Sequence, residues 1–174
     1  MLRLTQWENL IRTIVINTLN VPAARRNDFV RFTWPRTQQP GWPHNLDVCF
    51  VMITPEVSEI ERWRDQEYKK PNDTLKYTRV VSVSFIFYGP NAWANCCEIK
   101  DALNYYENTA LLRASNIALI TDSTSPTRVP ELFNTNWYNK CTYTASFNEL
   151  VSKTYTEQYI DTPIFELHTD PNLT

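Results

Sequence analysis

The stretch LKYTRVVSVSFIFYGPNAWANCCEIKDAL, residues 75–103, decides the fold because it joins a long strand to a helix through a sharp turn. Its first half alternates apolar and polar side chains. Leu75, Tyr77, Val81, Val83, Phe85 and Phe87 fall on one side, and Lys76, Thr78, Ser82 and Ser84 fall on the other. This period of two predicts a strand with one buried face, in a mostly antiparallel sheet.

The second half of the stretch predicts a helix. Gly89 and Pro90 end the strand, because proline has no N–H for the ladder and glycine relaxes the backbone. Asn91 is then expected to cap the helix by accepting a hydrogen bond from a first-turn N–H group. Apolar residues recur at spacings of three and four along one stripe that can lie on the sheet, at Ala92, Cys96, Ile99, Leu103 and Tyr106.

Segments on either side of this stretch add further elements. Residues 5–18 predict a helix that opens with a capping box between Thr5 and Glu8, and residues 109–115 predict a second helical turn. Residues 56–70 are expected to pair back on 75–87 as a hairpin. Strands are predicted at 29–33, 47–54, 117–121, 137–151 and near Ile160, with Trp137 on the buried face of the fourth.

These elements predict an α+β fold, with a four- to six-stranded, mostly antiparallel sheet and two main helices packed on one face. A length of 174 residues suits one domain with a sizeable core. We place that domain at residues 1–167 and expect 168–174 to be a frayed tail.

Two segments resemble the phage neck or tail terminator family. In that family a YG-x-NA turn leads into a helix, as FYGPNAWANCCEIKDAL does here. A later L-x-N-x-W-Y type segment leads into the last long strand, and it is resembled here by Leu132, Asn134, Trp137 and Tyr138, with one additional residue before Trp137 and with Lys140 where arginine is common. The Pro-rich residues 31–53 also fit the entry to the family's first strands, so the resemblance spans roughly residues 5–155.

The resemblance implies a structural protein of the virion, assembled in the bacterial host cytoplasm. The form that the resemblance implies is a homo-oligomeric, hexameric ring at the head-proximal end of the tail tube. The ring would stop polymerisation of the major tail tube protein and present a joining surface to the head connector or completion protein. Double-stranded DNA would pass through its lumen without sequence recognition, and no membrane is implied.

Composition excludes several functions and gives no support to catalysis. With Gly41 and Gly89 as its two glycines, the chain can form neither a P-loop nor a dinucleotide-binding fingerprint. The net charge of −2 gives no global attraction to nucleic acid or anionic membranes. The four cysteines have no C-x-x-C spacing, so we expect free thiols in a cytoplasmic protein with no metal, no cofactor and no catalytic residue.

Tryptophans supply the candidate interface. Several of the six lie in loops or in a charged ribbon, away from any apolar stripe. Tryptophan is enriched at interface hot spots, because it buries a large area with few rotors. The candidate assembly interface therefore comprises Trp34, Arg36, Trp42, Arg62, Trp63 and Arg64.

Other classes of protein stay open at this point. A different neck protein, such as a head-completion factor or minor tail subunit, has the same features. A small soluble ligand- or nucleic-acid-binding module would use the basic residues between Arg25 and Arg36 beside aromatic side chains. A hydrolase would need converging carboxylates, or His44 close to Cys49, and strand rise alone separates that pair by about 15 Å.

Overall fold

The computed structural model describes residues 2–32, 41–56, 64–67, 72–121, 124–133 and 135–156. The helices are α1 (Leu4–Thr18), α2 (Arg26–Phe29), α3 (Ala92–Ala102) and α4 (Tyr106–Ala114), with a 3-10 turn at Ala23–Arg25. The strands are β1 (Val30–Arg31), β2 (Val48–Glu56), β3 (Arg64–Glu67), β4 (Asn72–Tyr88), β5 (Ile117–Leu119), β6 (Thr127–Arg128), β7 (Glu131–Phe133), β8 (Asn136–Tyr138) and β9 (Lys140–Thr156).

The predicted α+β class is confirmed, with more strands than expected. Seven strands form the main sheet in the order β1-β2-β4-β9-β5, with β3 added to β4 and β6 added to β9. All these pairs are antiparallel except β1 with β2. The strands that were not predicted, β6 and β7, have two and three residues, which is too short to give a periodic signal.

The main core lies on the helix side of the sheet. Val81, Val83, Phe85 and Phe87 of β4 are buried there, as the alternation predicts. Helices α1, α3 and α4 pack over them, so the face carries three helices of at least nine residues instead of two. Neighbouring odd positions of β9, including Tyr143 and Phe147, complete this core.

A second, smaller core lies on the opposite face, next to the end of β4. It contains Trp42, Val48, Phe50, Ile86, Tyr88 and Tyr138. The sequence places Ile86 and Tyr88 on the polar side of the strand. They are nevertheless buried, because residues 41–46 and the β7–β8 hairpin fold over this end of the sheet.

Both predicted helix starts are wrong in their details. Helix α1 begins one residue early, and its first N–H groups are served by Arg3 and Gln6: the Arg3 N–H donates to Gln6 Oε1 at 2.8 Å. The Thr5–Glu8 capping box is therefore absent from this helix. Asn91 precedes α3, but its side chain accepts no capping hydrogen bond from the described first turn.

Asn91 instead fixes the turn between β4 and α3. Its backbone N–H and its Nδ2 donate to the two carboxylate oxygens of Asp47, each at 2.9 Å. Gly89 adopts φ +117°, and a Cβ there would lie 2.7 Å from both Asp47 Cα and the Leu46 carbonyl oxygen. The turn thus needs glycine both for its backbone angle and for the close approach of residues 46–47.

The sheet extends past the helices as a three-stranded arm. There β3 pairs with residues 74–77 of β4, whose other neighbour is residues 151–154 of β9. The hairpin predicted between residues 56–70 and 75–87 is confirmed over β3 alone, since residues 57–63 and 68–71 lie outside the described chain. The strand predicted near Ile160 also lies outside it.

Candidate assembly surface

The β7–β8 hairpin presents an apolar pair to solvent. Leu132 and Trp137 are opposite each other in its ladder, and they are 53% and 67% exposed. Val129, just before the hairpin, is also largely exposed. We call Val129, Leu132 and Trp137 the hairpin patch. Exposed aromatic and aliphatic side chains grouped in this way are typical of a surface that meets a partner.

The other side of the hairpin is anchored in the second core. Tyr138 is buried there, with its ring centroid 5.6 Å from that of Phe133 and 6.4 Å from that of Trp42. Because side chains alternate along a strand, burial of Tyr138 turns Trp137 outward. The prediction that Trp137 faces the core is wrong: the last long strand begins at Lys140, and residues 136–138 form a separate sheet on the opposite face.

A polar cluster fixes the hairpin to the main sheet. The Tyr88 hydroxyl donates to Glu131 Oε2 at 2.7 Å, and Lys140 Nζ donates to the same oxygen at 3.0 Å. The Lys140 ammonium also lies 5.7 Å from the centroid of the Tyr88 ring. We call Tyr88, Glu131 and Lys140 the hairpin clamp, since it joins β4, β7 and β9 at one point.

The clamp shifts the pKa of two of its members. Burial raises the pKa of Tyr88, and the hydrogen bond to Glu131 and its negative charge raise it further. Burial alone would raise the pKa of Glu131, but the hydrogen bonds from Tyr88 and Lys140 and the charge of Lys140 outweigh it, so that pKa lies below its usual value. At neutral pH Glu131 is therefore a carboxylate and Tyr88 an uncharged phenol.

The residues predicted from sequence as the interface fall in different places. Trp42 is 5% exposed and supports the hairpin from below, with ring centroids 4.9 Å from Phe50 and 5.3 Å from Tyr88. Arg64 is exposed on β3, with its guanidinium 5.6 Å from the centroid of the Tyr77 ring. Trp34, Arg36, Arg62 and Trp63 lie outside the described residues.

Sequence reasoning missed the hairpin patch, although the signal was present. Leu132 and Trp137 both belong to the L-x-N-x-W-Y segment that carries the family resemblance. Trp137 and Cys141 are four residues apart, a spacing that places them on the same face if one strand runs through both. That strand is interrupted at Asn139. Trp93 and Tyr106 are also exposed, on α3 and α4.

A second, partly apolar surface lies on the helix side of the sheet, beside the middle of β4. A groove of about 300 Å³ lies between the start of α1, the end of β2 and the middle of β4, and it is lined by the apolar residues Leu2, Leu4, Trp7, Ile53, Pro55 and Val81 and by two arginines, Arg3 and Arg79. We call it the N-terminal groove. Leu4 at its rim is 59% exposed. An adjoining hollow of about 250 Å³ is lined in part by Glu8 and Phe32.

Glu149 holds the wall of this groove. Its side chain is 1% exposed and forms an ion pair with Arg79, its direct partner across β4 and β9. It also accepts hydrogen bonds from the Leu2 N–H at 2.5 Å and from Trp7 Nε1 at 3.3 Å. The start of α1 is thereby fixed to both central strands.

The described residues offer little reactive chemistry. They contain no group of three or more His, Cys, Asp or Glu side chains that could hold a metal ion. Cys49, Cys96 and Cys141 are free and buried, and burial raises the pKa of each thiol, with a Cys96–Cys141 hydrogen bond also acting on both. No helix among the described residues is long and apolar enough to cross a membrane.

Comparison with known proteins assigns a family. A family model described as phage neck terminator protein matches residues 6–170, nearly the whole chain. No curated protein matches the chain.

Proposed function

Because this chain belongs to the phage neck terminator family, we propose that it acts as a ring of six copies at the head-proximal end of the tail tube. In this role it stops polymerisation of the tube protein and offers the joining surface for the head connector. Family membership gives a structural protein of the virion neck. The ring, its size and its contact with the tube are the proposal.

The observation that carries this proposal is the exposure of the hairpin patch on a firmly held support. A 67% exposed tryptophan beside a 53% exposed leucine is costly to leave in water. The hairpin clamp and the second core fix the orientation of this pair, so a partner meets a preorganised surface and little ordering entropy is lost on binding.

Termination follows from geometry in this proposal. One face of the ring complements the last tube ring, while the other face cannot recruit another tube subunit. Heterologous contacts that close into a ring leave no free end for further growth of the same kind. Head-joining proteins then bind the face that the tube does not use.

The face of the sheet opposite the helices suits a lumen for DNA. Ser82, Ser84, Thr144 and Ser146 form a hydroxyl face, with Ser84 Oγ and Thr144 Oγ1 2.9 Å apart. The even positions from Thr78 to Ile86 and from Thr142 to Leu150 carry no charge. Lysine or arginine there would hold phosphates and slow passage, whereas hydroxyl groups let the duplex slide without sequence recognition.

The interface residues predicted from sequence enter the proposal in two ways. Arg64, exposed on the arm, is proposed as a contact to the tube or the connector, and so are Trp34, Arg36, Arg62 and Trp63. Trp42 is proposed to act indirectly, because its burial beneath Tyr138 fixes the hairpin that carries the patch.

A tube-capping experiment tests the function. Purified tail tube protein is polymerised with and without this chain, and tube lengths and ends are counted by negative-stain electron microscopy. We expect shorter tubes, each with one end carrying extra density. Unchanged lengths and bare ends at a molar excess of the chain would refute the terminator role. Light scattering of the chain alone separately measures its self-association.

A further inference from the structure

We infer that the C-terminal segment of the chain, residues 157–174, folds back along the helix side of the arm and fills the N-terminal groove. The occupant of the groove is therefore a segment of the same copy. The inference goes beyond the proposed function and does not rest on it. The segment lies outside the described residues, whereas the groove and the arm that leads to it are described.

The helix side of the arm and the groove form one continuous surface. Because side chains alternate along a strand, Leu75, Tyr77 and Arg79 face the same side of β4 as Val81. Val151 lies directly opposite Tyr77 and is 0% exposed, yet it belongs to neither core. Complete burial outside both cores is the effect expected of a segment that lies over the arm.

The exposed charges on this surface are positive. The Arg64 guanidinium and the Lys153 ammonium lie 5.6 Å and 6.0 Å from the centroid of the Tyr77 ring, and Arg3 lines the groove. All three cations are exposed, and none forms an ion pair with a carboxylate of the described residues. The acidic side chains on this side of the arm are both buried: Asp73 and Glu149. An acidic occupant is therefore favoured.

The C-terminal segment has the matching composition. Its sequence EQYIDTPIFELHTDPNLT contains four acidic residues and neither lysine nor arginine, and its apolar side chains are concentrated at residues 163–167. Residues 57–63 follow β2 beside the groove, but they include Arg62 and are less acidic. The match to the family model runs to residue 170, so most of the segment belongs to the family's domain.

The length of the segment also matches the distance to the groove. Strand β9 ends at Thr156, directly opposite Asn72 at the tip of the arm. The groove residues Arg79 and Val81 are seven and nine positions further along β4, or about 23–30 Å at the usual rise. A segment that turns over two residues and then runs back extended brings residues 165–167 to the groove.

Alternation along this extended run separates apolar from acidic contacts. Phe165 and Leu167 share one face, which meets the apolar walls of the groove. Glu166 lies on the other face and reaches the exposed Arg3 at the rim. An aromatic ring in an apolar hollow buries a large area, and the carboxylate gains a charge-assisted hydrogen bond.

Photo-cross-linking in the whole chain locates the segment. p-Benzoylphenylalanine replaces Phe165, and ¹⁴N- and ¹⁵N-labelled chains are mixed in urea and refolded together. Mass spectrometry then identifies the cross-linked peptides. We expect cross-links to residues 2–7, 53–55 or 79–81, in pairs that carry a single isotope because both peptides come from one copy. The same label at Tyr106, 83% exposed on α4, is the control and should reach none of these residues.

A cycle of charge reversals tests the ion pair. In the wild-type background, Glu166→Arg should lower the equilibrium constant for folding about threefold in urea unfolding. In the Arg3→Glu background, the same substitution should be neutral or favourable, because the two charges are exchanged. Asp170→Arg is the matched control, since it lies beyond the groove, and its effect should be the same in both backgrounds. Phe165→Asp should lower the constant about tenfold or more.

Other results would overturn the inference. Cross-linked pairs of mixed isotope would place the segment on a neighbouring copy. Cross-links from residue 165 to other surfaces alone, or equal effects of Glu166→Arg in both backgrounds, would exclude the groove as its site. Groove cross-links from a label at Trp63, with none from residue 165, would assign the groove to residues 57–63. Tube capping is measured separately, and the terminator role stands or falls on that assay.

Discussion

Glu149→Gln should destabilise the protein strongly, although the two side chains have nearly the same shape. The wild-type carboxylate is 1% exposed and receives hydrogen bonds from Arg79, Trp7 Nε1 and the Leu2 N–H. Glutamine removes the negative charge that balances Arg79. Its NH₂ group also places hydrogen-bond donors opposite protein groups that are themselves donors. An unsatisfied buried donor costs about 1–3 kcal/mol, and loss of one partner of a buried ion pair costs about 3–5 kcal/mol.

We take the lower end, about 3 kcal/mol, because Arg79 keeps some contact with solvent. At about 2–4 °C per kcal/mol for a chain of this size, the melting temperature should fall by about 6–12 °C. Equilibrium unfolding in urea, followed by circular dichroism, measures the free energy directly. The same substitution at Glu67 is the control, because its pair with Lys76 is 3.8 Å long and about half exposed; its cost should stay within about 0.5 kcal/mol.

A loss below about 1 kcal/mol for Glu149→Gln, or an equal loss for Glu67→Gln, would refute this account of the buried pair. A double variant separates charge from packing. Arg79→Met with Glu149→Gln removes both charges together, keeps an amide oxygen that can accept from the Leu2 N–H and Trp7 Nε1, and should recover part of the lost stability because no buried charge is left without a partner. If the double variant is less stable than Glu149→Gln alone, packing geometry rather than charge compensation dominates the site.

Three further outcomes are expected. Gly89→Ala should cost about 1–3 kcal/mol or more in urea unfolding, because φ is positive and backbone atoms of Leu46 and Asp47 block the added Cβ. The pKa of Glu131 is lower in the folded than in the unfolded chain, so its carboxylate stabilises the fold above the unfolded carboxyl pKa of about 4.3. That stabilisation is lost as the pH falls through the pKa of Glu131 in the folded state. The difference in unfolding free energy between wild type and Glu131→Gln should therefore vanish when stability is measured at increasingly acid pH. A thiol reagent should modify Cys97 in the native protein, while the three buried cysteines react only on unfolding, as peptide mass mapping would show.

Periodicity predicted the helix side of the sheet because its signal is local. Val83 and Phe85 alternate with serines, and Cys96 and Ile99 share one helical stripe, so both surfaces of that core were readable from their own segments. Ile86 and Tyr88 follow the same strand, yet their burial depends on Trp42 and Tyr138, which are distant in sequence. No pattern within one strand records a cover supplied by another segment.

The site was harder to predict for a related reason. If one strand is assumed to run through Asn139, the alternation of side chains places Trp137 on the same face as the buried residues of β9. The chain instead changes sheets at Asn139, which reverses the face that Trp137 presents. Tryptophans in loops were equally ambiguous, since Trp42 lies in a Pro-rich segment and is buried. Composition shows that the chain has tryptophans able to anchor a partner, but tertiary packing decides which of these side chains are exposed.

The long antiparallel pairing of β4 with β9 affects when a newly made copy of the chain becomes able to assemble. Two helices and four strands separate these partners in the chain, so a large loop must close before their ladder forms, and such pairings are slow. β9 follows every other described element and leaves the ribosome last among them. The clamp needs Tyr88 from one of these strands and Lys140 from the other, so a half-made chain has no oriented hairpin to offer. In the proposed ring, a subunit would thereby be held back from assembly until its folding is finished.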